Sequence, residues 1–271
     1  MNCNDKNAKN IVYAVDENYL KHSLVSLLSF VKNNPGSSCK VHIIHNGIPI
    51  HYFGLFKLLD EVYDICINTI YIDDSHFNAF PKRFHFSNAN YYRLMIPDLI
   101  DENRVLYLDA DTIVKGSIDP LYFHDLDGYP IGAVEDLDFR RHGDLLTMLK
   151  MDKQSKYFNS GVMILDLENW RKIGLHRKVM DFISDEPHRI LLADQCGLNS
   201  IINGNWKQLD LKFNVQSVVF SGKYSTQNEL EPVIIHFTDT PKPWDSGSQH
   251  PFVHLYNMYL EEINNLLDYA N

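Results

Sequence analysis

Apolar residues in the first third of the chain alternate between two spacings. Ile11-Val12-Tyr13-Ala14-Val15 is a continuous apolar run ending in Asp16, the pattern of a strand buried on both faces. Leu20, Leu24, Leu27, Leu28 and Val31 then recur at helical spacing, so one stripe of a helix faces a core. Asn33-Asn34-Pro35-Gly36 stops that helix. Val41-His42-Ile43-Ile44 reads as a second strand, residues 50–62 as a second helix and residues 69–72 as a third strand. Parallel neighbours need a long crossover, usually a helix, so this β-α-β-α-β order predicts an α/β fold with a parallel sheet and covering helices.

The next strand, Arg104-Val105-Leu106-Tyr107-Leu108, runs straight into Asp109-Ala110-Asp111. Further strands are expected at residues 130–134, 162–165 and 233–236, and helices at 167–184, 193–202 and 254–269. Residues 217–231 are polar and read as a loop. With no internal repeat, low-complexity tract or linker, residues 1–271 read as one domain, with a C-terminal helix at about 251–269 packed on or flanking it. Ligands of open α/β sheets bind at the carboxyl ends of the strands. Asp16, Asp109 and Asp111 fall there, so two separate strand ends deliver carboxylates to one edge.

Composition narrows the partners. The 271 residues are 45% hydrophobic and 22% charged, ordinary for a globular enzyme. No run of about 18 apolar residues spans a membrane, and the polar start Met1 to Lys6 carries no secretory signal. A net charge of -10 argues against nucleic acid as a partner, although a bound divalent cation lets an acidic protein hold a polyanion locally. Cys3, Cys39, Cys66 and Cys196 lie far apart with no paired spacing, which predicts free thiols in a reducing cytoplasm.

Asp109 and Asp111, one residue apart at a strand end, repel each other and favour a cation between them. Their hard oxygens suit Mg²⁺ or Mn²⁺, which would bridge the phosphates of a nucleotide. His236, closing the strand at 233–236, is a further candidate ligand, and Lys242 of Lys242-Pro243-Trp244 can meet a phosphate. A solvated acidic loop is the plain alternative. A phosphatase of the haloacid-dehalogenase type, with Asp109 as nucleophile and Asp111 as acid, is another, although its motif normally opens the fold.

In combination these segments resemble family 8 of the retaining glycosyltransferases, which includes bacterial lipopolysaccharide α-galactosyl- and α-glucosyltransferases and, more distantly, glycogenin. The resemblance runs from about Ile11 to Trp244 and implies a GT-A type fold, Rossmann-like in its nucleotide-binding sheet. It puts Ala14, Asp16 and Asn18 of Tyr13-Ala14-Val15-Asp16-Glu17-Asn18-Tyr19 on uracil and ribose, and Arg93 of Tyr92-Arg93-Leu94 on the donor sugar. It makes Asp109, Asp111 and His236 metal ligands, counts Ala110 with the nucleotide-binding residues, and sets Lys242 on the diphosphate. Asp136 of Gly132-Ala133-Val134-Glu135-Asp136 would bind a donor-sugar hydroxyl, and Asn159 of Phe158-Asn159-Ser160-Gly161-Val162 would face the sugar. Asp194 and Gln195 of Ala193-Asp194-Gln195 would stand at the anomeric centre, completing a catalytic set with Asp136.

The resemblance also implies a UDP-hexose donor, galactose or glucose, a glycan, lipopolysaccharide-like or glycoprotein acceptor, and retention at the anomeric carbon. Gln195 is an amide and a poor nucleophile, so front-face attack is expected, with Asp194 as the rival covalent nucleophile. A UDP-sugar binder without turnover is a third reading. The chain departs from the family pattern twice. Asp239 replaces the glycine of the family's H-x-x-G-x-x-K-P-W segment, so removing its charge should favour donor binding unless it pairs with Lys242 or Lys223. The final residues, Leu266 to Asn271, are acidic where many members carry a basic aromatic tail, which leaves peripheral membrane contact open without an anchor.

Overall fold

The computed structural model describes residues 8–84, 86–222 and 230–270; the first seven residues with Cys3, Lys223 and the middle of the loop expected at 217–231 lie outside them. β1 (Lys9–Val15), β2 (Cys39–His45) and β3 (Cys66–Tyr71) alternate with α1 (Glu17–Asn33) and α2 (His51–Tyr63). Then come the single-turn helices α3 (Ala89–Tyr92) and α4 (Ile96–Leu99), β4 (Arg104–Leu108), β5 (Thr112–Val114), α5 (Asp119–Tyr122), β6 (Ile131–Glu135) and α6 (Leu145–Met148). The second half holds β7 (Phe158–Asp166), α7 (Leu167–Ile173), α8 (Leu175–Asp185), α9 (Ala193–Ile202), β8 (Lys207–Gln208), β9 (Val215–Gln216), β10 (Ile234–His236) and α10 (Val253–Ala270).

Seven strands form the main sheet in the order β3-β2-β1-β4-β7-β6-β8, and β5-β10-β9 form a small second sheet. Side chains alternate across the main sheet as period-2 geometry requires. Ile11, Tyr13, Val15, Leu106 and Leu108 enter a core shared with α1, α2 and α10. Val12, Val105 and Tyr107 enter a second core on the opposite face, shared with α7, α8 and α9. The fold is therefore α/β with helices on both faces, as expected.

Three expectations need correction. The sheet is not wholly parallel: β7 runs antiparallel to both β4 and β6. The helix expected over 167–184 is two helices, because Gly174, at φ 63 in the left-handed region, ends α7 and turns the chain into α8. Cys39 and Cys196 are free and buried, but Cys66 is disulfide-bonded, because spacing along the chain does not report which sulfurs meet in space. The inference to a reducing compartment loses its basis with it. No helix among the described residues is long and apolar enough to cross a membrane.

Candidate active site

The order of strands decides where polar groups gather. β1 pairs in parallel with β2 on one side and β4 on the other, and the chain leads from β1 to β2 but from β4 toward β6 and β7, so the connections diverge between β1 and β4. That is the crevice where open α/β sheets hold ligands. Asp109 follows β4 and Asp136 follows β6 at this edge. Because β7 runs the other way, its first residues, Phe158 to Gly161, arrive at the same edge.

After Asp111 the chain enters β5, which pairs with β10 so that Thr112 faces His236, and Phe237 donates its N–H to the Asp111 carbonyl at 3.0 Å. This ladder sets Nε2 of His236 3.2 Å from Asp111 Oδ1 and 3.7 Å from Asp109 Oδ2. One atom from each of the three side chains lies within 4.8 Å of the others. Lys242 reaches in from the following loop to Asp111 Oδ2 at 2.7 Å. That loop is anchored by Trp244, which stacks on His22 at 3.6 Å and 9°, and Tyr256 of α10 approaches the same imidazole. Burial penalises the Asp111 charge, but the Lys242 ammonium overcomes it and holds the carboxyl well below its ordinary range.

The adjoining cleft encloses about 510 Å³. Six carboxylates line it (Asp109, Asp111, Asp136, Asp138, Asp194 and Asp239) against three cationic side chains, Arg93, Arg141 and Lys242. A diphosphate entering this wall needs added positive charge, and two carboxylates with an imidazole suit a divalent ion of the Mn²⁺ or Mg²⁺ type. The donor set therefore fits a metal.

Opposite this cluster lies a buried arginine. Arg93 donates to the Ser160 carbonyl at 2.7 Å and sits 2.9 Å from Asp109 Oδ1, with its guanidinium 4.4 Å from the centre of the Tyr107 ring. Tyr107 donates its hydroxyl to the same Asp109 oxygen at 2.7 Å. Asp194 Oδ2 is 3.2 Å from Nε of Arg93, yet that N–H is aimed at the Asn90 carbonyl, so the contact is an ion pair without an aligned hydrogen bond. Burial pushes the Asp194 carboxyl up to about 7, with Arg93 opposing the rise and Asp109 adding to it.

β6 and β7 shift register between Ala133 and Val134, so Ser160, Gly161 and Val162 are skipped by β6. A bulge of this kind turns backbone donors toward a site. Ser160 donates its N–H to Gln195 Oε1 at 2.9 Å, and Gln195 Nε2 donates to Asp136 Oδ2 at 2.9 Å. Gly161 donates its N–H to Asn159 Oδ1 at 3.0 Å.

The cleft brings together Ala14, Arg93, Asp109, Ala110, Asp111, Asp136, Asn159, Asp194, Gln195, His236 and Lys242. Asp16 and Asn18 are not among its lining residues. Asp16 caps α1, its Oδ1 accepting the N–H groups of Asn18 and Tyr19 while Oδ2 accepts the Ser87 hydroxyl at 2.7 Å; Asn18 is exposed in the first turn of that helix. Asp239 lines the cleft and shares Arg141 with Asp138, each 2.7 Å from the same guanidinium nitrogen, so its partner is Arg141 and not Lys242. Periodicity and motif spacing did not single out Tyr107, Ser160, Arg141 or Asn214, which support the site through hydrogen bonds and ion pairs. Their only local sign is position: Tyr107 and Ser160 lie within segments already picked out, and Asn214 ends a short turn before β9.

Comparison with known proteins gives a consistent set of likenesses. The model of the family described as glycosyl transferase family 8 matches residues 10–247. The chain is 32% identical over 266 residues to general stress protein A of Bacillus subtilis (strain 168), covering 92% of each. It is 29% identical over 264 residues to a lipopolysaccharide 1,2-glucosyltransferase of Escherichia coli, covering 92% of this chain and 78% of that one. Its fold matches the galactosyltransferase LgtC, solved in complex with donor and acceptor sugar analogues, at TM-score 0.84 and 24% identity over 93% of this chain and 95% of that one.

Proposed function

The chain belongs to glycosyl transferase family 8, and from that premise we propose that it moves a glucose or galactose from a UDP-sugar to a glycan or glycoconjugate acceptor, with retention and with a divalent metal. The observation that carries this reading is the convergence of Asp109, Asp111 and His236 beside Lys242, at a strand edge whose acids outnumber its bases. A glucosyltransferase and a galactosyltransferase among the similar proteins support a hexose donor without choosing between the two.

Asp109, Asp111 and His236 would hold the metal, which when bound would supply Lewis-acid neutralisation of the departing diphosphate. Lys242 adds a fixed positive charge to the same group once its hold on Asp111 is exchanged for phosphate oxygen. Ala14 and Ala110 line the cleft with small side chains and leave room for a flat base. Arg93, whose guanidinium is held by Ser160, Asp109 and Asp194, stiffens the wall that the sugar meets. Gln195 presents an amide whose two ends are anchored by Ser160 and Asp136, so its carbonyl dipole is already oriented to stabilise positive charge developing on the sugar ring. An amide in that place favours front-face attack, in which the diphosphate oxygen takes the acceptor proton and the new bond forms on the face the old one leaves. The phosphatase reading is not favoured: three strands precede the one that carries the acidic pair, and the chain belongs to a transferase family.

The test is UDP release from UDP-glucose and UDP-galactose with Mn²⁺ and an excess of sugar acceptors. Chelation with EDTA should stop turnover, and Asp109→Asn or Asp111→Asn should lower kcat/KM by roughly 100-fold or more. Undiminished activity in excess EDTA would remove the metal from the reading.

A further inference from the structure

We propose that Asn214 is a positioning residue that holds His236 as the Nδ1–H tautomer, so that the Nε2 lone pair is the one aimed at the acidic pair. The inference rests on the metal reading above and assigns a role to a residue outside the motifs. Asn214 is fully buried, and its Oδ1 lies 3.0 Å from Nδ1 of His236.

The direction of this hydrogen bond follows from a chain of forced choices that begins in the backbone. Gly161 can only donate through its N–H, and it donates at 3.0 Å to one side-chain atom of Asn159. That atom is therefore the carbonyl oxygen of Asn159. The same oxygen receives the side chain of Asn214 at 2.9 Å, so the Asn214 atom facing it is the amide nitrogen. The oxygen of Asn214 is left facing Nδ1 of His236, and an amide oxygen cannot donate. Nδ1 must carry the hydrogen. In the neutral ring Nε2, 3.2 Å from Asp111 and 3.7 Å from Asp109, then keeps its lone pair for the cation.

Imidazole ligands are commonly set in this way, through the hydrogen bond made by the other ring nitrogen. Without such a partner the opposite tautomer would point Nε2–H at the two carboxylates and satisfy them in place of a metal. The starting point of the chain is the backbone of β7 beside Asp109. The β4–β7 ladder ends here: Gly161 accepts the Asp109 N–H but gives its own N–H to Asn159, which fixes Asn214, which fixes His236.

Two measurements test this on the full chain. In metal-free protein with ¹⁵N-labelled histidine, at a pH where the imidazole is neutral, His236 should show the Nδ1–H pattern. Asn214→Leu should switch it to Nε2–H, while Asn214→Asp, which keeps an acceptor at that place, should retain Nδ1–H. Mn²⁺ titrations read by electron paramagnetic resonance should show Asn214→Leu binding about 10- to 100-fold more weakly than wild type and Asn214→Asp recovering most of that loss. A Nε2–H pattern in the neutral wild-type protein overturns the proposal, whether or not Asn214→Leu folds. So does a folded Asn214→Leu that binds Mn²⁺ as wild type does. Wild type that binds no Mn²⁺ would instead sink the metal reading, and the tautomer spectrum would still decide the role of Asn214.

Discussion

A Cβ built on Gly161 would lie 2.1 Å from Cε1 of His236 and 2.6 Å from Oδ2 of Asp109. Real Cβ atoms do not approach so closely, so the glycine is a matter of space between two proposed ligands and not of backbone freedom. Gly161→Ala should push His236 and Asp109 apart. The expected result is Mn²⁺ binding weakened about 10-fold or more, with a stability loss of about 1–3 kcal/mol from overpacking, read by paramagnetic titration and urea unfolding. Unchanged Mn²⁺ affinity would mean that this corner of the site can yield. The motif segment Phe158 to Val162 was legible as a unit, but the need for its glycine was not, because the atoms it makes room for come from β10 and the end of β4.

At the level of elements, Asp16 shows how one residue serves the end of a strand and the start of a helix. It follows β1, where a ligand-binding carboxylate was expected, yet its Oδ1 takes the N–H groups of Asn18 and Tyr19 and its Oδ2 takes the Ser87 hydroxyl. Asp16→Ala should cost about 1 kcal/mol through the lost cap. Asp16→Asn keeps an oxygen at the cap and should cost less. Urea unfolding of the two variants checks this: an alanine variant as stable as wild type would show that the cap is dispensable. The elements that periodicity missed are short. β5 spans three residues and exists because β10, far along the chain, lies beside it. The break at Gly174 was hidden because leucine and isoleucine spacing continues across it, and a left-handed backbone position leaves no trace in hydrophobic pattern.

The whole molecule bears the cost of gathering so many acids. Asp194 has its carboxyl pushed up to about 7 by burial, against about 3.9 in an unfolded chain. Between those values the folded protein holds a proton that the unfolded chain has lost. This group therefore favours folding most at the acid end of that window, and the benefit is lost as pH rises through about 7. Asp194→Asn lacks the titration. In EDTA, the melting temperature of the variant relative to wild type should rise between pH 5 and pH 8 (about one pH unit inside and outside the window). An equal difference at both would mean that Asp194 titrates as an ordinary carboxylate. What the sequence by itself determined about this protein is the alternation of strands and helices, the strand ends that carry Asp109 and Asp111, and the chain order of the motif segments. These are written locally, because a buried strand and an amphipathic helix impose their own spacing of apolar residues. Only the tertiary structure decided that β7 runs backwards, that Asp16 caps α1, that Asp239 meets Arg141, and that Asn214 sits behind His236. Each of these is a pairing between groups distant along the chain. The partner a polar group takes depends on which backbone donors the sheet leaves unused, and no local spacing encodes that.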